Sequence, residues 1–213
     1  MNRAAHWEQV YRSRGPEQLS WFQAEARLSA QLIQRTVPDH SASIVDIGAG
    51  ASTLVDGLLA SGYRALTVVD LSATALTLAQ ERLGALAQSV TWLTADVLTV
   101  SFAPACFDIW HDRAAFHFLT EAADRMRYVA QVRHAVRPGG HVLLATFAED
   151  GPTRCSGLAV ARYSPEALHA EFGAGFLLLE SHREEHVTPS GARQAFTYCV
   201  CRADPGARVR RTA

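Results

Sequence analysis

Four short apolar runs in the first half of the chain each stop on or next to an aspartate, with helix-like segments between them. The runs are Ser43 to Asp46, Arg64 to Asp70, Ser89 to Ala95 followed by Asp96, and Phe107 to Trp110 followed by His111-Asp112-Arg113. Strand-length runs that alternate with amphipathic crossovers specify a doubly wound, mostly parallel α/β sheet. Sheets of that kind bind ligands beyond the carboxyl ends of their strands, where this chain puts Asp46, Asp70, Asp96 and Asp112. Any one of these acids has a plain explanation as a cap or turn former. Four in series point to a ligand crevice.

The connecting segments fit that reading. Gly48-Ala49-Gly50 turns the first run into an amphipathic stretch from about Ser52 to Ala60. Ser72 is positioned to cap a helix through Ala87, in which Leu76, Ala79, Leu83 and Leu86 recur at helical spacing and face a core. Thr120 is the expected N-cap of a helix carrying Met126, Val129, Val132 and Val136, which Pro138-Gly139-Gly140 stops before a fifth strand, His141 to Phe147. Ser164-Pro165-Glu166 opens a further short helix. Phe176 to Val187 and Gln194 to Cys201 flank Thr188-Pro189-Ser190-Gly191, the pattern of a long hairpin that closes the sheet with an antiparallel edge.

Composition removes several function classes. All 20 basic side chains are arginines, against 21 acidic ones, so Schiff-base and P-loop lysine chemistry is excluded. No dense basic stripe is present, and a dedicated nucleic-acid binder is not expected. The longest apolar stretches are strand-length, far below the roughly 20 residues that cross a bilayer. Met1 to Arg14 has no signal-peptide pattern, so a cytoplasmic location is expected. Cys106, Cys155, Cys199 and Cys201 are then expected as free thiols. Cys199-x-Cys201 has no second ligand pair at finger spacing, and no metal site is expected; alternation puts both cysteines on one face of a strand.

The first turn narrows the ligand. Glycines there let the backbone approach a ligand at the N-terminus of the next helix. Asp70 follows Gly48 by 22 residues, the distance at which a carboxylate meets ribose hydroxyls in nucleotide-binding α/β folds. Thr53 occupies the third position of a Gly-x-Gly-x-x-Gly pattern, and Asp46 would repel a phosphate. Both departures favour an adenosine ligand without a phosphate.

Val45-Asp46-Ile47-Gly48-Ala49-Gly50, Val69-Asp70-Leu71-Ser72, Ala95-Asp96-Val97, Phe107-Asp108-Ile109-Trp110 and Arg137-Pro138-Gly139-Gly140, in that order and spacing, resemble the class I S-adenosylmethionine-dependent methyltransferases. The resemblance covers roughly Ser43 to Phe147. It implies a Rossmann-like, mostly parallel seven-stranded sheet and S-adenosylmethionine as cofactor. By position it assigns the Asp46, Gly48, Ala49, Gly50 and Ser52 turn to the methionine part, Asp70 with Leu71 to the ribose, and Asp96 with Val97 to adenine. Trp7, Tyr11, Trp21 and Phe22 look like the amino-terminal lid of the thiopurine and protein-lysine branches, with Trp21 the best candidate to face the sulfonium; aromatic packing on the core is the plainer alternative.

After the fourth strand the chain lacks the Asn-Pro-Pro-aromatic motif of nucleobase amino-methyltransferases. That leaves His111, Asp112, Arg113 and His117 as candidates on the acceptor side, His111 also touching the cofactor; a local cap and ion-pair cluster is the alternative. Cys155 sits on a loop able to cover the pocket. The expected activity is methyl transfer to a small molecule or protein side chain, through N, O or S, by a monomer or homodimer. A nicotinamide-dependent oxidoreductase and a non-catalytic binding module of the same fold are the competing readings. Residues 1–204 are expected to form one domain, with a helical lid (1–40), a cofactor-binding core (41–148) and a substrate-side region with the hairpin (149–204). A flexible basic tail (205–213) is expected to follow.

Overall fold

The computed structural model describes residues 2–204, so the expected basic tail lies outside the described residues. Two helices, α1 (Arg3–Ser13) and α2 (Arg27–Thr36), precede the sheet. The chain then runs β1 (Ser43–Ile47), α3 (Leu54–Ala60), β2 (Ala65–Asp70), α4 (Ala73–Leu83), β3 (Val90–Thr94), β4 (Phe107–Arg113), α5 (Ala122–Ala135) and β5 (Val136–Phe147). A two-residue hairpin, β6 (Arg154–Cys155) and β7 (Leu158–Ala159), leads to α6 (Pro165–Phe172), β8 (Phe176–Val187) and β9 (Arg193–Ala203). The seven-stranded sheet has the order β3-β2-β1-β4-β5-β9-β8. Strands β1 to β5 are parallel, and β9 runs antiparallel to both β5 and β8. Strand order reverses between β1 and β4, which opens the crevice at their carboxyl ends. There Asp46 pairs in register with His111, and Ile47 with Asp112.

Strand alternation sorts the β4 side chains onto two cores. Trp110 joins Phe116, Tyr128, Val132 and Phe172 on the α5/α6 face. Ile109 joins Leu32, Ile33, Leu58 and Phe196 on the opposite face, under α2 and α3. Trp110 is fully buried, and its indole N–H donates to the Tyr128 hydroxyl at 2.8 Å. Burial of a ring that size contributes about 5 kcal/mol at most, before the entropy of ordering it is charged.

Several expected boundaries move. Helix α4 ends at Leu83 because Gly84 takes φ +56°, and the following 3-10 turn (Gly84–Ser89) leaves Leu86 59% exposed instead of in the core. Helix α5 starts after Glu121, not Thr120, and Met126 is 67% exposed. Pro138-Gly139-Gly140 does not precede the fifth strand but lies within β5, where the pairing with β4 shifts between Phe107 and Ile109. Arg137 clamps that irregular entry by donating to both oxygens of Asp108, at 2.7 and 2.8 Å. Strand β4 also continues past Trp110 to Arg113, so the three residues placed after the fourth run belong to the strand. Cys199 and Cys201 do share one buried face, where burial pushes both thiols up to about 12.

Candidate functional site

At the end of β1 the chain turns sharply, with Gly48 at φ +61° and Gly50 at φ +54°. A Cβ on Gly48 would lie 2.4 Å from the Ala115 Cβ, so only glycine fits where β1 meets the turn after β4. Asp70, at the end of β2, accepts the Gly50 N–H at 2.7 Å and the Ser72 N–H at 2.8 Å. Burial pushes its carboxyl up to about 6, against the lowering effect of those amides. Asp96 accepts the Leu98 N–H at 2.9 Å and keeps a partly open oxygen.

Two adjoining clefts follow from this arrangement. One is lined by Asp70, Leu71, Asp96, Val97, Phe118 and Leu119. The other is lined by Ser29, Asp46, Ala49, Ser52 and His111. Tyr11, Trp21, Gly48 and Arg113 line both, so a single elongated ligand can run from one to the other. Gly50 lines neither, because the Tyr11 hydroxyl covers it.

The roof is built by α1 and the segment after it. Asn2 caps α1 by accepting the Ala4 and Ala5 N–H groups. Glu8 then pins α1 to the start of α4, accepting from the Ser72 hydroxyl at 2.8 Å and the Thr74 hydroxyl at 2.6 Å, which lowers its carboxyl to about 2. Arg3 reaches Asp96 and Asp124 at 3.4 and 3.5 Å. Trp7 packs edge-on against both Trp21 and Phe118, with centroids 5.7 and 4.9 Å away. Tyr11 is buried, which drives its hydroxyl well above the ordinary phenol range. Sequence reading found the aromatics but missed Arg3 and Glu8, whose partners lie 93 and about 64 residues away.

The four acceptor-side candidates separate. His111 bridges Asp46 Oδ1 at 2.6 Å and Ser29 Oγ at 2.9 Å, on the α2 face. Arg113, on that same face, donates to the Tyr198 hydroxyl, the Trp21 carbonyl and Glu184, and its side chain is 9% exposed. Asp112 points the other way, with Trp110. It accepts the Ala115 and Phe116 N–H groups and, at 2.6 Å, the Tyr128 hydroxyl, and it lines neither cleft. Its expected place on the acceptor side therefore gives way to a cap on the turn after β4. His117 is likewise sealed away from both clefts, between the Phe118 and Phe147 rings. The loop after β5 closes over it, with the Ala161 N–H on its carbonyl at 2.8 Å, and burial lowers its imidazole to about 3. Cys155 does line the first cleft, as a thiol pushed up to about 11.

Residues 44–140, the stretch that carries β1 to the start of β5, match the family model described as a methyltransferase domain. That stretch, just under half of the chain, is similar to methyltransferase domains, and the surrounding fold is that of S-adenosylmethionine-dependent methyltransferases. Among curated proteins, the chain is 25% identical over 150 residues to the eEF1A lysine and N-terminal methyltransferase of Danio rerio, covering 69% of this chain but only 21% of the relative's length. Among solved structures it resembles one described as converting a disulfide bond into a thioacetal group during echinomycin biosynthesis, with TM-score 0.76, 18% identity, and 97% and 95% of the two chains covered. It also resembles the 1,6-didemethyltoxoflavin-N1-methyltransferase of Burkholderia thailandensis, solved with 1,6-didemethyltoxoflavin and S-adenosylhomocysteine, with TM-score 0.71, 22% identity, and 94% and 88% covered. Among the described residues no helix is long and apolar enough to cross a membrane.

The site chemistry fits S-adenosylmethionine at both ends. In the second cleft Asp46 Oδ2 is buried and has no hydrogen-bond partner, an acceptor left for an ammonium group. In the first, Asp70 and Asp96 offer carboxylates where a nucleoside presents hydroxyl and amino donors.

Proposed function

We propose that this chain transfers the methyl group of S-adenosylmethionine to a small molecule whose acceptor atom brings its own lone pair, a neutral amine or a sulfur. The observation that carries the reading is the pair of joined clefts, carboxylates of Asp70 and Asp96 at one end and the unpartnered Asp46 oxygen at the other. Asp70 accepts the ribose hydroxyls, Asp96 the adenine amino group, and Asp46 the methionine ammonium. Leu71 and Val97 pack the nucleoside, while Gly48, Ala49 and Ser52 give the backbone access that the amino-acid end needs. Trp21 and Tyr11 present aromatic faces to the cationic sulfur.

The bound cofactor supplies an electrophilic methyl group for an in-line displacement, so alignment carries most of the acceleration. The wall on the acceptor side is Trp7, Trp21, Phe118 and Cys155. Asp112 is spent on the turn and on Tyr128, and His117 is sealed behind Phe118, so neither is free to remove a proton. An acceptor with an available lone pair needs no base before transfer, and its proton passes to solvent afterwards. The covered cleft suits a small molecule better than a folded protein surface.

The test is calorimetric titration with S-adenosylhomocysteine and with NADH, then incubation with S-adenosylmethionine and panels of small thiols, amines and peptides, reading mass gain. Binding of the first nucleoside and methylation within the thiol or amine panel is expected. NADH binding with no response to S-adenosylhomocysteine overturns the activity, and modification of peptides alone overturns the small-molecule acceptor.

His111 acts here through Asp46. It holds one carboxylate oxygen and leaves the other for the ligand. His111→Asn is expected to weaken S-adenosylhomocysteine about tenfold, yet to change the affinity of 5′-methylthioadenosine, which lacks the amino-acid end, less than about twofold. Equal losses for both ligands would reduce His111 to core packing.

A further inference from the structure

Arg113 lines both clefts, and it stands where the two halves of a bridging ligand join. In S-adenosylmethionine that junction is the sulfonium. A permanent guanidinium cation beside it is repulsive unless something neutralises it. Glu184, on β8 of the C-terminal hairpin, is the anion within reach: its Oε2 accepts from Arg113 Nη2 at 3.3 Å. The Tyr198 hydroxyl donates to the same oxygen at 3.0 Å while accepting the Arg113 Nε–H at 2.8 Å. Gln23, from the roof, donates to the other oxygen at 3.0 Å. Burial holds the Tyr198 phenol up at about 12, so it stays neutral and contributes no second charge. Arg113 also lies over the Phe196 ring, 4.3 Å from its centroid, with 9% of its side chain exposed against 17% for Glu184, so water screens the pair poorly.

We propose that Glu184 is the charge-compensating residue of the site, cancelling the Arg113 cation so that the crevice accepts a sulfonium as readily as the uncharged thioether left after methyl transfer. The proposal rests on S-adenosylmethionine being the methyl donor. It makes Glu184 a positioning and specificity residue that acts through Arg113.

The readout is the ratio of S-adenosylmethionine to S-adenosylhomocysteine affinity, because the two ligands differ by one methyl and one positive charge. Glu184→Gln removes the anion and keeps the hydrogen-bonding shape. It is expected to weaken S-adenosylmethionine about tenfold while S-adenosylhomocysteine stays within about threefold of wild type. Arg113→Gln is expected to move the ratio the other way, and the double substitution to bring it back near the wild-type value. Lost hydrogen bonds to the roof act on both ligands alike and cancel in the ratio. If Glu184→Gln does not fold, Arg113→Gln and the double variant carry the same comparison. Parallel changes in the two affinities overturn the role of Glu184 while leaving the methyltransferase reading intact. A wild-type protein that binds neither ligand overturns both.

Discussion

Asp112→Ala is expected to lower the melting temperature by about 10 °C while leaving the S-adenosylhomocysteine affinity of the folded protein within about threefold of wild type. The carboxylate satisfies the Ala115 and Phe116 N–H groups and the Tyr128 hydroxyl, and Phe116 and Tyr128 are fully buried. An alanine leaves three donors without acceptors and opens a small void beside Trp110. Such losses cost about 3–4 kcal/mol together, and a domain of this size loses about 2–4 °C per kcal/mol. Asp112→Asn should fall between, since its amide oxygen still serves the two backbone donors but its NH2 meets the Tyr128 hydroxyl. Differential scanning calorimetry reads the stability and titration reads the affinity. A large loss of turnover with unchanged melting would return Asp112 to the chemistry.

Asp70→Ala is expected to weaken S-adenosylhomocysteine about a hundredfold, close to 2.7 kcal/mol. Two effects add: the ribose loses a charged acceptor, and the Gly50 and Ser72 amides that Asp70 holds are released. The raised carboxyl also predicts pH dependence with a definite sign. With Asp70 at about 6 before binding, a ligand that prefers the ionised form binds best above that pH and progressively more weakly below it. Calorimetry at pH 7.5 and 5 should show the fall, and Asp70→Asn should flatten it. Stability responds in the opposite direction. Asp70 and Asp112 both bind a proton near pH 6 when folded but only near 3.8 when unfolded, so each favours the fold more as the pH drops through that window. His117 opposes them, since its imidazole protonates near 6.5 only in the unfolded chain.

The parallel core was legible because a strand ending in an acid, followed by a tight turn and an amphipathic helix, repeats down the chain. The long hairpin was legible from its turn residues. His111, Asp112 and Arg113 do not form one acceptor-side cluster, because the segment placed after the fourth strand is part of it. As a strand it alternates faces, which sends Asp112 into one core and its neighbours toward the roof. His117 stands apart for another reason: the residues that enclose it, Phe147 and the backbone around Ala161, come from β5 and the loop after it. Glu184 carried no motif at all. It sits on an edge strand rich in charged residues, and only the folding of β8 against β9 and Tyr198 picks it out.

The meeting of Gln23 with Glu184 and of Ser20 with His186 spans 161 and 166 residues of sequence. Contacts that distant close late, because the intervening chain must already be ordered before they repay their entropy. A nascent polypeptide therefore completes its crevice only once its last two strands have emerged. Nucleoside added during refolding should prolong the lifetime of the finished molecule, through slower unfolding, and leave the rate of its formation unchanged.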